Sequence, residues 1–141
     1  MNKMQYLLLE ATKRNEGQVK IFIQISTDET YGTLSLEDTH KFTEDTGFAP
    51  NVPYAAAKGG GDLMCRAYHR SYDVPVIVTH CSNNYGPYQH PEKLIPNAMF
   101  RALRNQPITL HGGGHHVRDW IYVSDHCEAI DLILHKGKPG E

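Results

Sequence analysis

Tyr54 and Lys58, four residues apart in Pro53-Tyr54-Ala55-Ala56-Ala57-Lys58, are side chains whose types and spacing suit proton transfer. On a helix, positions four apart share a face, so the Lys58 ammonium sits beside the Tyr54 phenol and favours the phenolate. A tyrosine tuned in this way serves as a base toward an alcohol at neutral pH. A Tyr-x-x-x-Lys pair also recurs on solvated helices, where it does nothing. Upstream lies a second motif, Ser26-Thr27-Asp28-Glu29. Paired carboxylates divide labour when their environments separate their pKa values, one protonated as acid and the other ionised as base, and elimination of water needs both. Thr27 adds a short hydroxyl for a substrate oxygen. The other reading of the acidic pair is an exposed turn.

These groups need elements to hold them. Residues 4–14 have helical composition and Asn15-Glu16-Gly17 stops them. Residues 20–26, β-branched and mostly apolar, read as a strand buried on both faces of a parallel sheet, which puts Thr27, Asp28 and Glu29 at its carboxyl end. Open α/β sheets bind ligands at such ends. Residues 32–52 carry no sustained period, and a loop of that length in a compact domain is usually functional. Asn51 is the expected N-cap of a helix over 54–72, with Pro53 in its first turn. Gly59-Gly60-Gly61 weakens that helix at roughly 1 kcal/mol per glycine unless close packing compensates, so a second helix is expected against it.

Residues 75–81 repeat the buried-strand pattern, and 82–87 read as a polar turn. A helix over 93–105, short strands over 107–111 and 117–123, and a final helix capped by Ser124 or Asp125 complete an alternating order, hence an α/β fold. The 141 residues fit a single unit.

Fourteen basic and sixteen acidic residues give a formal charge of -2 without a block of like charges, which disfavours nucleic acid and membrane surfaces as partners. Cys65, Cys81 and Cys127, with no secretory h-region or membrane-length apolar run, read as reduced, buried, cytoplasmic thiols. His111-Gly112-Gly113-Gly114-His115-His116 invites a metal reading, but no second ligand cluster has suitable spacing. A solvated turn and no metal are expected there. Arg118 either clamps a phosphate through its planar donor fork or pairs with Asp119.

Taken together, Ile25 to Gly32, Pro53 to Lys58, Cys81 to Pro87, Pro91 to Pro96 and Val117 to Val123 resemble the nucleotide-sugar dehydratases of the extended short-chain dehydrogenase/reductase superfamily, those acting on dTDP-glucose above all. The Thr-Asp-Glu triplet separates these from epimerases, which share the Tyr-x-x-x-Lys pair. The resemblance implies a partial Rossmann-like, doubly wound, mostly parallel sheet and NAD-dependent dehydration of a nucleotide-activated hexose to a 4-keto-6-deoxy sugar nucleotide. Tyr54, assisted by Lys58 and Thr27, would take the sugar hydroxyl proton. Glu29 would remove the C5 proton and Asp28 would protonate the leaving hydroxyl. By the same resemblance Ser26, Tyr54 and Lys58 would contact the cofactor, and Thr27, Asn83, Lys93, Leu94, Pro96, His111 and Arg118 the substrate, with Arg118 on the diphosphate. A homodimer through the Tyr54–Lys58 helix is also implied.

The family's Gly-rich cofactor turn and the first βα units have no counterpart in this sequence, so the chain is expected to be the central part of such an enzyme. A 4-epimerase, or a non-catalytic binding or assembly module, are the alternative readings.

Overall fold

A computed structural model describes residues 3–141. Helix α1 spans Lys3–Arg14, strand β1 Phe22–Thr27, helix α2 Pro53–Tyr72, strand β2 Val76–Cys81, strand β3 Asn83–Tyr85, helix α3 Leu94–Leu103, strand β4 Trp120–Tyr122 and helix α4 Val123–Lys136. The strands form two parallel pairs, β1 with β2 and β3 with β4, with Phe22 opposite Val76 and Asn83 opposite Trp120. Consecutive side chains of β2 face opposite ways. Val76 packs into a core with Leu9, Cys65 and Val74, whereas Ile77 meets the end of α4 at Gly137. Helices therefore cover both faces of β2, as the doubly wound expectation requires.

The hydrogen bonds Gly140 N–H to Val76 O (2.7 Å) and Val78 N–H to Glu141 O (3.0 Å) continue the ladder on the side of β2 away from β1. β2 is thus paired along both edges. Among the described residues no helix is long and apolar enough to cross a membrane.

Several local expectations are corrected. Strand β1 is not buried on both faces: Ile25 is half exposed, and the side against α2 carries the polar Gln24 and Ser26. Their polarity is accommodated because Asp62 of α2 accepts hydrogen bonds from both. Val52, not Asn51, stands at the N-cap of α2; the Asn51 amide instead donates to Thr33 Oγ1 at 2.8 Å. The closest neighbours of Gly59 are Thr30 and Phe48 rather than another helix, and Gly60 faces open space. Helix α1 reaches α2 farther along, through Leu9 and the Gln5 amide on Cys65 Sγ.

Residues 83–85, expected as a turn, form β3 because β4 offers a parallel partner, whereas 107–110 pair with no strand among the described residues and form none. Helix α4 starts at Val123 without a side-chain cap, leaving Asp125 in its first turn. Of the cysteines only Cys65 is buried; Cys81 is half-buried and Cys127 exposed.

Candidate active site

The carboxyl end of β1 turns sharply into a 3-10 turn, Asp28–Tyr31. Thr27 caps it: its hydroxyl accepts from the Glu29 N–H at 3.3 Å, and the buried Thr30 hydroxyl donates back to Thr27 O at 2.9 Å. Gly32 closes the turn at φ +107°, where a Cβ would stand 2.8 Å from Ala49 O. Only glycine accepts both that backbone conformation and that approach. Because the strand has ended, the adjacent carboxylates need not point to opposite faces. Asp28 and Glu29 both line one open cleft of about 880 Å³, together with Tyr31, His80, Ser82 and Arg118.

Burial raises the Asp28 pKa above the usual carboxylate value, and the neighbouring Glu29 charge adds to the shift. Hydrogen bonds from the Thr27 side chain and the Glu29 N–H, and the Arg118 charge, oppose it without cancelling it. A carboxyl group so shifted is disposed to hold a proton, which is the property a general acid needs. Arg118 does not pair with Asp119. Its Nη1 donates to Val117 O at 2.7 Å, and Asp119 instead accepts from the Trp120 N–H. The guanidinium therefore keeps most of its donors for the cleft.

Tyr54 and Lys58 occupy the first two turns of α2. Lys58 Nζ donates to Ile25 O at 2.5 Å, which fixes the ammonium two residues before Thr27. Tyr54 is 60% exposed, and no hydrogen bond joins it to Lys58 among the described residues. Ser26 is buried, and its hydroxyl donates to Asp62 Oδ2 at 2.5 Å, away from the cleft. Asn83 lies in β3 with its N–H on Asp119 O at 3.2 Å. Lys93 and Leu94 stand exposed at the start of α3, with Pro96 in its first turn. Of the expected site residues, Asp28, Glu29 and Arg118 line the cleft, whereas Ser26, Thr27, Tyr54, Lys58, Asn83, Lys93, Leu94 and Pro96 do not. The backbone of His111 opens a second 3-10 turn, His111–Gly114, while its side chain lies outside the described part of the structure. Among the described residues no group of three His, Cys, Asp or Glu side chains is placed to hold a metal ion.

Asp62, His80 and Tyr31, none of them among the expected site residues, join α2, β2 and the 3-10 turn. Asp62 accepts from His80 Nε2 at 3.3 Å, and His80 Nδ1 lies 3.1 Å from the Tyr31 hydroxyl. Asp62 lies four residues beyond Lys58, a spacing that could have drawn notice.

The sequence matches the GDP-mannose 4,6 dehydratase family over residues 5–141. It is 55% identical over 120 residues to the dTDP-glucose 4,6-dehydratase of Xanthomonas campestris pv. campestris, covering 85% of this chain and 34% of that protein. The structure superposes with a TM-score of 0.90 on the crystal structure of dTDP-glucose 4,6-dehydratase from Bacillus anthracis in complex with NAD, at 51% identity over 97% of this chain and 43% of the other. UDP-glucuronic acid 4-epimerase from Bacillus cereus, in complex with UDP-glucuronic acid and NAD, superposes at 0.86 with 29% identity, over 98% of this chain and 42% of the other. The chain thus spans about a third of the length of the curated relative it matches.

Proposed function

The chain belongs to the GDP-mannose 4,6 dehydratase family, and from that premise we propose that it is the central, single-unit part of an NAD-dependent enzyme that dehydrates a nucleotide-activated hexose of the dTDP-glucose type to a 4-keto-6-deoxy sugar nucleotide. The observation that carries this reading is the shared cleft of Asp28, Glu29 and Arg118, with Asp28 pushed toward its protonated form by burial.

The residues present fit the cofactor. The Lys58 ammonium is held at the carboxyl end of a parallel pair, where open α/β sheets bind dinucleotides, and Tyr54 opens the same helix. Lys58 and Tyr54 would hold NAD there; the Ser26 side chain, committed to Asp62, offers it no free hydroxyl hydrogen. Bound NAD would supply hydride acceptance from sugar C4 and hydride return at C6.

The protein groups perform the proton chemistry. Tyr54 takes the C4 hydroxyl proton as general base, while the Thr27 hydroxyl, once released from Asp28, donates to a sugar oxygen. The C4 ketone acidifies the C5 proton, which Glu29 removes, and Asp28 protonates the departing C6 hydroxyl. Arg118 pairs with the diphosphate, and Asn83, Lys93, Leu94, Pro96 and His111 contact the remainder of the substrate. Both the B. anthracis dehydratase and the B. cereus epimerase were solved with NAD. The carboxylate pair favours dehydration over epimerisation.

A second copy of the chain is the proposed partner, seated on the α1–α2 face, where Met4, Leu7, Leu8 and Leu63 are about half exposed or more. The cytoplasm is the proposed location.

Calorimetric titration of the folded chain with NAD, with and without dTDP-glucose, tests the reading. Binding of both, followed by appearance of the 4-keto product, would support it. A chain that folds but binds neither would overturn it and leave an assembly module, a reading favoured by the absence of any buried residue in α3.

A further inference from the structure

Asp62 is 3% exposed and carries no lysine or arginine partner among the described residues. Its charge is met by three donors from two strands: Gln24 Nε2 at 3.3 Å, Ser26 Oγ at 2.5 Å and His80 Nε2 at 3.3 Å. An ionised carboxylate only accepts, so His80 must bring its proton on Nε2, and a neutral ring then has a lone pair on Nδ1. That lone pair faces the Tyr31 hydroxyl at 3.1 Å. The Tyr31 ring is boxed by His80, Phe42 and Phe48, at centroid distances of 4.9, 5.4 and 5.8 Å.

Tyr31 is the last residue of the turn that begins with Asp28 and Glu29, and Tyr31 and His80 line the same cleft as the two carboxylates. Asp62 lies one helical turn beyond Lys58 on the same face of α2. The proposed base and the proposed acid pair belong to different elements, and small misplacements between catalytic groups are costly in rate.

We propose that Tyr31, His80 and Asp62 are positioning residues, a hydrogen-bonded chain in which Asp62 fixes the His80 tautomer, His80 accepts from the Tyr31 hydroxyl, and the turn bearing Asp28 and Glu29 is thereby tied to the helix bearing Tyr54 and Lys58. This inference rests on the dehydratase reading for its catalytic meaning, though the chain of contacts can be tested without it.

The test is the histidine-ring ¹⁵N spectrum of the full chain, with His80 assigned by loss of its signals in His80→Gln. The neutral ring is expected as the Nε2–H tautomer. Tyr31→Phe removes one oxygen at the edge of the cleft. It is expected to move the Nδ1 resonance toward that of a free lone pair and to speed hydrogen exchange at the Glu29 and Gly32 amides roughly fivefold, the equivalent of one ordinary hydrogen bond. Asp62→Asn should release the tautomer preference; if that variant fails to fold, Tyr31→Phe decides alone. An Nδ1–H tautomer, or an Nδ1 resonance unmoved by Tyr31→Phe, would overturn the proposal, because a merely space-filling tyrosine leaves the ring nitrogen unchanged. Failure of the wild-type chain to bind NAD or sugar nucleotide would instead count against the dehydratase reading.

Discussion

Asp28 and Glu29 differ in chemistry more than their adjacency suggests. Asp28 is half-buried with its pKa raised, first by burial and then by the Glu29 charge, so the folded state binds its proton more tightly than the unfolded chain does. Its stabilising contribution is therefore complete below the unfolded value of about 4 and is lost as pH rises through the raised folded value. Asp28→Asn is expected to raise the thermal midpoint at pH 7, with the gain over wild type shrinking as pH falls toward about 4. Calorimetric scans across that range check the sign. For Glu29 the expectation is kinetic: Glu29→Gln abolishes loss of water while sparing reduction of NAD, and stopped-flow absorbance of the reduced cofactor separates the two steps. Equal loss of both would remove Glu29 from the base role. The pairing of the carboxylates was legible in the sequence, but their convergence on one cleft was not, because it depends on the strand ending at Thr27 and on Gly32 turning the chain back against Ala49.

Among the elements, α1, β1, α2, β2 and α3 follow from periodicity and breakers to within two residues, whereas α4 starts two to three residues before its expected caps allow. The misreadings have a common cause in partnership at a distance. Residues 83–85 are polar and strand-forming only because Trp120–Tyr122 lie alongside, and Asn51 lost its capping role to a bond with Thr33. The glycines of α2 separate in the same way. Gly60 meets nothing within 4 Å, so Gly60→Ala should stabilise the chain by about 1 kcal/mol through helix propensity and unfolded-state entropy. Gly32→Ala should destabilise it by roughly 1–3 kcal/mol, since it sets a side chain at φ +107° against a carbonyl oxygen. Urea unfolding followed by circular dichroism distinguishes the two signs. The buried network of Asp62 could not be read from one sequence, because it joins four elements whose mutual register is set only when they pack.

At the scale of the molecule, Leu9, Cys65, Val74 and Val76 form a small core, and α3 and α4 contain no buried residue. Stability is accordingly concentrated where α1, α2 and β2 meet. Leu9→Ala, at a fully buried position, is expected to cost about 2–5 kcal/mol, enough to broaden or abolish cooperative urea unfolding. The parallel pairing of β1 with β2 has a further consequence, for the order of events in folding. Phe22 lies opposite Val76, so no hairpin can nucleate this ladder, and the strands meet only after the intervening chain, with α2 in it, has been drawn across the sheet. Loop closure precedes the contacts that compensate for it, and α2 docking on the β1–β2 pair, where Val76 meets Cys65, becomes the expected nucleus. Val76→Ala should then slow refolding in stopped-flow measurements, whereas truncations in α3 should chiefly hasten unfolding.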